Sequence, residues 1–325
     1  MIPALHYKTK QFFFFIIKLS IVVGASYFIY NKIANNEHLD FGVFIDFLTE
    51  NGLFSTKNII FLVFLTIFNW FFEILKWQNL VNSIKKISFY DALKQSLASL
   101  TASLFTPNRI GDYAAKLMYF PKPFRKRVLL LNLIAHMAQM GATVIFGLAG
   151  LILFCTKYDL DISYYRVGRF AVIIVIVFIF TLFGIKQDKL RLKGYSLTRI
   201  LEFGKKLSVQ LHLKTLLYSC LRYLIFSFQF YFLLNLFGVD VAYFNAMIVI
   251  TTMYLLSSII PSIFLFDVVI KGSVALFLFE IAGVNNLTVL CIITLMWILN
   301  FVIPSIFGSF FVMNFRRYKS LDAMT

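Results

Sequence analysis

Charged residues are scarce in this chain of 325 residues. They make up 14% of the sequence, against 60% for hydrophobic residues, and the mean hydropathy is +0.82. A soluble domain carries about 25% charged residues, so this chain lacks the polar surface that a soluble fold needs. The shortage excludes a soluble catalytic domain and indicates an α-helical protein that crosses a membrane several times.

Cysteine is nearly absent as well, with three scattered copies at Cys155, Cys220 and Cys291. That number and spacing give neither a disulfide framework nor a metal-binding motif. The sequence also shows no recognisable nucleophile–base set and no acidic metal cluster. We therefore expect no metal, no cofactor and no enzymatic activity in this chain.

Basic residues outnumber acidic residues, which gives a formal net charge of +16. They cluster in short segments between apolar stretches, as the orientation of a membrane protein requires, so we expect no nucleic-acid partner. A helix of about 20 residues crosses the ~30 Å hydrocarbon core. The apolar stretches fall at residues 11–33, 58–80, 96–120, 128–154, 167–185, 215–237, 244–281 and 287–314.

Two of these stretches have the same charge character at both ends. Basic residues flank 96–120 on both sides, which places both ends in the cytoplasm. The segments around the ends of 244–281 carry only the acidic residues Asp240 and Glu280, which places both ends outside. We therefore interpret each stretch as a re-entrant helical hairpin. The alternative, a pair of full spans, requires spans of fewer than about 20 residues.

Proline interrupts each hairpin near its middle, where a missing backbone donor breaks a helix. In both hairpins an aspartate follows five or six residues after the proline, and a lysine follows four residues after the aspartate. Two such patterns about 154 residues apart predict an internal repeat. The repeated residues are Pro107, Asp112 and Lys116 in the first hairpin, and Pro261, Asp267 and Lys271 in the second.

The predicted fold is an all-α polytopic membrane protein with one integral membrane domain over residues 1–325. Its repeats, 1–165 and 166–325, each contain three spans and one re-entrant hairpin, so the second is inverted relative to the first. The charge distribution places both termini in the cytoplasm of a cell membrane protein. Inverted repeats with broken helices are the layout of secondary transporters, whose substrates bind at the breaks.

Ionisable residues inside the spans are the candidate binding site, because a buried charge is costly and marks an ion pair or a pathway. Arg109, Asp112 and Lys116 fall at i, i+3 and i+7, on one face of a helix that starts after the proline. Asp112 and Lys116 balance each other, which leaves the positive charge of Arg109 in surplus. Its guanidinium group suits a phosphate group. Alternatively, the Asp–Lys pairs only neutralise each other and staple the hairpins. The candidates are Arg109, Asp112, Lys116, Asp267, Lys271, Glu73, Lys76 and Gln229, with hairpin breaks at Pro107, Gly111 and Pro261.

Two other groups of polar residues leave alternatives open. Glu73 and Lys76 share a helix face, although Lys76 and Trp77 also stand where interfacial anchors belong. Arg222 is predicted to snorkel to the cytoplasmic interface, whereas Gln229, deeper in the same stretch, is predicted to face the interior.

A third polar group lies in the fourth apolar stretch. Asn132, His136 and Gln139 recur at i, i+4 and i+7 on one helix face. Neutral polar residues in spans often hydrogen-bond neighbouring helices, and we favour that interpretation here. His136 has no partners at a spacing suited to a metal.

Two motifs carry a resemblance to a known family. One is Lys76–Leu80, at the end of the second stretch, and the other runs from Thr106 to Asp112 and on to Lys116. They resemble the Arg-Trp and Thr-Pro-x-Arg-Ile-Gly-Glu…Arg signatures of the lysylphosphatidylglycerol synthase transmembrane, or flippase-like, family. The segment from Pro261 to Val284 is similar to that family's second hairpin and the Gly-Val after it.

The resemblance implies a flippase that moves aminoacyl-phosphatidylglycerol, or a polyprenyl-phosphate-linked sugar, between leaflets. The expected ligands are membrane lipids, in particular anionic lipids. The resemblance leaves open whether the protein forms a homo-oligomer or pairs with a lipid-modifying enzyme. The alternatives are a secondary transporter of a small solute and a membrane-embedded lipid-headgroup enzyme. About a dozen residues follow the last stretch, so we expect no aminoacyl-transferase domain.

The sequence also departs from the family pattern. Asp112 stands where the family has Glu, and Lys116 stands where it has Arg, which keeps the charges but changes the geometry. The fourth stretch has His136 and Gln139 in place of a Glu-Arg pair. These differences bear on the identity of the substrate more than on the fold.

Overall fold

The computed structural model describes residues 23, 41–50, 55–104, 106, 110–158, 191–192, 195–259 and 267–315, with the side chains left out at 41, 43, 44, 47, 191–200 and 267–271. The helices are α1 (Phe41–Glu50), α2 (Thr56–Val81), α3 (Phe89–Leu104), α4 (Ile110–Met118), α5 (Lys122–Lys157), α6 (Leu197–Lys206), α7 (Val209–Leu236), α8 (Tyr243–Ile259), α9 (Asp267–Ile281), α10 (Asn286–Trp297) and α11 (Ile303–Met313). A two-residue antiparallel ladder joins β1 (Arg191–Leu192) to β2 (Tyr195–Ser196).

Within the described residues, four helices are long and apolar enough to cross a membrane. They are α2, α5, α7 and the continuous helix Asn286–Met313, which contains α10 and α11. The prediction of an all-α polytopic membrane protein is confirmed. Four of the predicted spans coincide with these helices, whereas those at 11–33 and 167–185 lie outside the described residues except for Val23.

Each predicted hairpin contains two short helices. The first comprises α3 and α4 and the second comprises α8 and α9. The nine residues of α4 extend about 14 Å and the 15 residues of α9 about 22 Å, both less than the ~30 Å hydrocarbon core. These lengths favour re-entrant hairpins over pairs of full spans. Pro107 and Pro261 fall between the paired helices in sequence and lie outside the described residues.

The first hairpin begins earlier than the apolar pattern predicts. Helix α3 starts at Phe89, seven residues before the apolar stretch. Ser88 sets this start, because its hydroxyl accepts a hydrogen bond from the Asp91 amide at 3.0 Å and donates one to the Asp91 carboxylate at 2.8 Å. Such reciprocal capping satisfies donors that a helix start would otherwise leave unpaired.

The helices of the two halves cross-pack in a reciprocal way. Helix α2 packs along α7, α3 packs against α11, and α8 packs against α5. An added Cβ at Gly308 would overlap with the carbonyl oxygen of Leu97, and one at Gly150 would overlap with the hydroxyl of Thr251. Each of these contacts joins the first leg of one hairpin to the last span of the other half. This arrangement accords with the predicted inverted repeat, which stays a prediction.

The continuous helix Asn286–Met313 changes its winding at Ile298–Val302, which form a π-helical segment. Pro304 follows, and it has no N–H to donate to the carbonyl of Asn300 four residues earlier. That carbonyl instead accepts a hydrogen bond from Nε1 of Trp70 at 3.1 Å. The break in the backbone ladder therefore ties this span to α2.

Three apolar clusters support the described part of the fold, and the smallest consists of Trp70, Leu97 and Leu100. The other two differ in size and position. The larger cluster joins α7, α8, α9 and α10 around side chains such as Phe230, Ile250 and Phe279. The smaller cluster joins α2, α3 and α5 around Trp77, whose Nε1 donates to Gln95 at 2.8 Å. Polar side chains collect beside the smaller cluster, and they form the candidate site.

Candidate functional site

A cavity of about 80 Å³ lies among α2, α3, α4, α5, α7 and the π-helical segment. One wall carries the hydroxyl groups of Ser96, Ser99 and Ser103 from α3, and another carries the rings of Trp70 and Phe301. The rest of the cavity lining consists mostly of ionisable side chains. The ionisable side chains that line the cavity are Glu73, Lys76, Asp112, Lys116, His136 and Arg222.

Glu73 and Lys76 of α2 face the cavity together. Their i, i+3 spacing brings Nζ of Lys76 to 2.6 Å from Oε2 of Glu73. Lys76 also donates to the amide oxygen of Gln139 on α5 at 3.4 Å. Lys76 is 2% exposed and Trp77 is 0% exposed, so neither residue is an interfacial anchor.

Arg222 reaches the same carboxylate from α7. Its Nη1 lies 2.5 Å from Oε2 of Glu73, and its Nε donates to Oδ1 of Asn69 at 3.0 Å. Asn69 and Glu73 are one turn apart on α2, so they present two acceptors side by side to the planar guanidinium. The prediction that Arg222 snorkels to the cytoplasmic interface is therefore wrong, because the packing of α2 along α7 supplies partners inside the helix bundle.

Asp112 of α4 is the second buried carboxylate. Its Oδ1 lies 3.2 Å from Nζ of Lys116, and its Oδ2 accepts from Asn132 at 2.7 Å. Nε2 of His136 lies 2.9 Å from the same Oδ2. Lys116 also donates to Asn132 at 2.8 Å, so the Asp112–Lys116 pair joins α4 to α5.

The Asp112–Lys116 pair is thus an ion pair, as its spacing predicts, but its hydrogen bonds to Asn132 and His136 attach α4 to α5 rather than to the other leg of the hairpin. Both residues of the pair also line the cavity. Asn132 has the predicted function of a helix-to-helix hydrogen-bonding residue. His136 and Gln139 hydrogen-bond neighbouring helices as predicted, but both also line the cavity. The sequence did not predict that these two residues line the cavity, because their hydrogen-bond partners lie on other helices, α4 for His136 and α2 for Gln139.

The close approach of the two legs of the first hairpin depends on Gly111. A Cβ at this position would overlap with the carbonyl oxygen of Ala102 on α3. The Gly111 amide also donates to the Thr106 hydroxyl at 2.8 Å, which satisfies a donor at the start of α4. The absence of a side chain therefore lets α4 carry Asp112 into the bundle.

Gln229 lies outside the cavity, although the sequence placed it among the substrate-binding candidates. Its amide nitrogen donates to the Thr66 hydroxyl at 3.0 Å and to the Leu62 carbonyl at 3.2 Å. Its amide oxygen accepts from Asn300 at 2.9 Å. Gln229 faces the interior as predicted, but its hydrogen-bonding groups already join α2, α7 and the π-helical segment.

The remaining sequence candidates are not described at the level of side chains. Arg109 lies outside the described residues, as do Pro107 and Pro261. Asp267 and Lys271 lie in the first two turns of α9, and their side chains are outside the description. Their roles in binding stay predictions.

The charges that line the cavity do not balance. Lys76, Lys116 and Arg222 contribute three positive charges, whereas Glu73 and Asp112 contribute two negative charges, so 3 − 2 leaves one positive charge with His136 neutral. Each carboxylate contacts more than one cationic or polar donor. The described lining of the cavity therefore has a formal surplus of one positive charge.

A family model described as "Lysylphosphatidylglycerol synthase TM region" matches residues 15–308 of the chain. The match covers both hairpins and every residue that lines the cavity. No curated protein matches the chain.

Proposed function

The chain belongs to the lysylphosphatidylglycerol synthase transmembrane family, a membrane domain associated with lipid-related functions, and we propose that it moves an anionic, phosphate-bearing lipid between leaflets. The main support is the surplus positive charge in a cavity among membrane-spanning helices. The substrates in view are aminoacyl-phosphatidylglycerol and a polyprenyl-phosphate-linked sugar. In this proposal the protein is a transporter, without enzymatic activity or a cofactor.

The cost of moving a phosphate group through hydrocarbon supports this assignment. A phosphate that leaves water loses hydrogen bonds and counter-charge, and a transporter must replace both. Lys76, Lys116 and Arg222 supply cationic N–H donors at one cavity, and the hydroxyl of Ser96, which has no partner among the described residues, supplies a neutral donor. The planar guanidinium of Arg222 suits two phosphate oxygens at once.

The two carboxylates make binding reversible. Without a lipid, Glu73 forms ion pairs with Nη1 of Arg222 and Nζ of Lys76, and Asp112 forms an ion pair with Lys116. A phosphate group competes with Glu73 for the two cations and is released when Glu73 returns. A cavity with the same cations and no carboxylates would hold a phosphate too tightly for transport.

Arg109 is a further part of the proposed site. It directly precedes α4, the helix that carries Asp112 and Lys116 to the cavity. We propose that its guanidinium contacts the lipid phosphate, and that Asp267 and Lys271 position the second hairpin around it. Arg109→Gln is expected to abolish transport in a folded protein, whereas Arg109→Lys keeps part of the activity.

A reconstitution experiment tests the function. Full-length protein in phosphatidylcholine vesicles is expected to accelerate the flipping of fluorescent phosphatidylglycerol, measured by dithionite quenching, and to leave labelled phosphatidylcholine unaffected. Native mass spectrometry is expected to show a retained anionic lipid. Uptake of a water-soluble substrate without lipid movement would instead indicate a solute transporter, and a chemically altered headgroup would indicate an enzyme.

We also propose that both termini face the cytoplasm of the cell and that the two hairpins enter from opposite faces. Single cysteines at Asp91 and Lys122, which flank the first hairpin, are then labelled by an impermeant reagent from the same side. Labelling of these two positions from opposite sides would contradict the re-entrant hairpin.

A further inference from the structure

Four buried hydroxyl groups on α7 and α8 have no hydrogen-bond partner among the residues that the structure describes. They belong to Tyr223 and Ser227 of α7 and to Tyr254 and Ser257 of α8. Tyr223 is 4% exposed, Ser227 is 0% exposed and Ser257 is 8% exposed. Tyr223 lies close to Ser227, one turn away, but the two hydroxyl groups do not form an aligned hydrogen bond. Because most buried polar atoms in proteins are paired, such a group requires an explanation.

The four residues are linked by helix spacing and by one ring contact between the helices, and we call them the hydroxyl cluster. Tyr223 and Ser227 are four residues apart on α7, and Tyr254 and Ser257 are three residues apart on α8, so each pair shares a helix face. The two tyrosine rings meet edge to face, with centroids 5.8 Å apart. The cluster is distinct from the charged cavity, because none of its members lines that cavity.

The chemistry of the cluster points to an uncharged, hydroxylated ligand. A hydroxyl group both donates and accepts a hydrogen bond, so a set of them complements another set of hydroxyl groups. No cationic or carboxylate side chain is among the four, which disfavours a phosphate or a metal ion as the occupant. Phe146 stacks on Tyr223 with ring centroids 5.0 Å apart, and Phe226 packs at a tilted angle against Tyr254 with centroids 5.3 Å apart. Aromatic surface of this kind suits the C–H face of a polyol.

The cluster also lies along the same helices as the charged cavity. Gln139 lines the cavity, and Phe146 lies seven residues further along the same face of α5, which is about 10 Å along the helix axis. On α7, Arg222 of the cavity directly precedes Tyr223. A headgroup with its phosphate in the cavity can therefore extend its far end to the hydroxyl cluster.

The predicted repeat gives the cluster an equivalent in the first half. Ser257 lies four residues before Pro261 in sequence, and Ser103, which lines the charged cavity, lies four residues before Pro107. Ser257 therefore takes the place in the second hairpin that the cavity-lining Ser103 takes in the first.

We propose that Tyr223, Ser227, Tyr254 and Ser257 form a second, uncharged subsite that binds the hydroxyl groups of a polyol linked to the lipid phosphate. This inference rests on the proposed function and specifies the substrate: its headgroup carries glycerol or sugar hydroxyl groups beyond the phosphate. Phe146, which stacks on the ring of Tyr223, forms one side of this subsite.

Binding to the full-length protein in phosphatidylcholine nanodiscs tests the subsite. The ligands are short-chain phosphatidic acid, short-chain phosphatidylglycerol and a short polyprenyl-phosphate hexose, and the readout is tryptophan fluorescence, since Trp70 lines the cavity. We expect wild type to bind at least one hydroxylated lipid about tenfold more tightly than phosphatidic acid, as two to three additional hydrogen bonds provide.

The double variant Tyr223→Phe/Tyr254→Phe removes two hydroxyl groups and keeps both rings. It is expected to abolish that preference, while its affinity for phosphatidic acid stays within about twofold of wild type. The double variant is expected to weaken the binding of one hydroxylated lipid more than that of the other. If that lipid is phosphatidylglycerol, the subsite binds glycerol; if it is the polyprenyl-phosphate hexose, the subsite binds a sugar. Tyr231→Phe is the matched control, because it removes a hydroxyl on the same helix from a ring that packs on Tyr243. This control is expected to leave all three affinities unchanged.

The outcomes separate this inference from the proposed function. If Arg222→Gln weakens the binding of every anionic lipid and the double tyrosine variant changes none, the function stands and the subsite is wrong. The hydroxyl cluster then holds only water. If wild type binds no anionic lipid at all, the proposed function fails and the subsite fails with it.

Discussion

The two hairpins have the same layout, but they bury different side chains. The first hairpin brings Asp112 and Lys116 into the bundle, where four helices supply their surroundings. The described side chains of α9 in the second hairpin are apolar where they are buried, as at Ala275, Leu278 and Phe279. The comparison separates a leg whose charged side chains line a cavity from a leg whose described buried side chains form a packing core.

The difference shows how a leg as short as α4 is held in place. Nine residues provide little apolar surface, and in a bilayer the hydrophobic effect contributes little to helix association. Hydrogen bonds and ion pairs from Asp112 and Lys116 to α5 therefore supply the attachment. The same two residues, Asp112 and Lys116, also line the cavity.

The largest expected effect follows from breaking this attachment. Asp112→Ala leaves Lys116 buried without its carboxylate and is expected to destabilise the protein by about 3–5 kcal/mol and to abolish transport. The double variant Asp112→Asn/Lys116→Gln, which leaves no unpaired charge, is expected to be more stable than Asp112→Ala. Thermal unfolding in detergent, followed by tryptophan fluorescence, measures both.

The exposed pair Asp91–Lys94 is the control for this experiment. It has the same residue types, with a separation of 3.7 Å at the surface. Asp91→Ala is expected to lower the free energy of unfolding by about 1 kcal/mol or less, because it removes only an exposed ion pair and the contact of the Asp91 carboxylate with Ser88. Equal effects at Asp112 and Asp91 would show that the buried network does not hold α4.

Arg222→Gln is expected to lower the rate of lipid flipping about 100-fold while the protein stays folded, because a buried charged contact to phosphate is worth about 3 kcal/mol. Arg222→Lys keeps the charge without the planar fork and is expected to retain part of the rate. Lys214→Gln, at an exposed position of the same helix, is the control and is expected to flip lipid at the wild-type rate. Unchanged flipping by Arg222→Gln would exclude Arg222 from the site.

Leu278→Ala tests the second hairpin. Leu278 is 2% exposed, and its truncation is expected to lower the free energy of unfolding by about 2 kcal/mol through lost packing. The flipping rate per folded molecule is expected to stay within about twofold of wild type. A rate that falls as far as with Arg222→Gln would show that both hairpins, rather than one, carry the binding site.

The smallest expected effects concern the two glycine contacts between the halves. Gly308→Ala and Gly150→Ala each force a methyl group against a neighbouring helix and are expected to destabilise the protein by about 1–2 kcal/mol. Gly141→Ala on α5, where the nearest atom lies 4.0 Å away, is expected to be neutral or slightly stabilising. Different costs at Gly308 and Gly150 would count against the reciprocal packing of the two halves.

The sequence predicted the parts of the site that helix geometry fixes locally. Glu73 with Lys76, and Asp112 with Lys116, are one turn apart on single helices, so their spacing alone brings them together. The spans at α2, α5 and α7 followed from apolar length in the same way.

Pairing between helices was beyond the reach of this reasoning. Arg222 and Glu73 are far apart in sequence, and no periodicity shows that α7 packs along α2. The polar character of Asn69 and Glu73 one turn apart was a usable signal, since two acceptors inside a span require a donor from elsewhere. Gln229 is an example of a wrong assignment to the binding site. Its amide oxygen already accepts a hydrogen bond from Asn300, a partner that the sequence pattern did not reveal.

The π-helical segment Ile298–Val302 gives one span two directions of contact. A π turn accommodates one more residue than an α turn, which rotates everything after it by about 100° relative to an unbroken α-helix. Asn300 therefore points to α2 and α7, while Gly308 meets α3. Deleting one residue from the segment would restore a uniform helix and turn Gly308 away from α3. This span can therefore contact α2 and α7 through Asn300, and α3 through Gly308, only while the π turn is present.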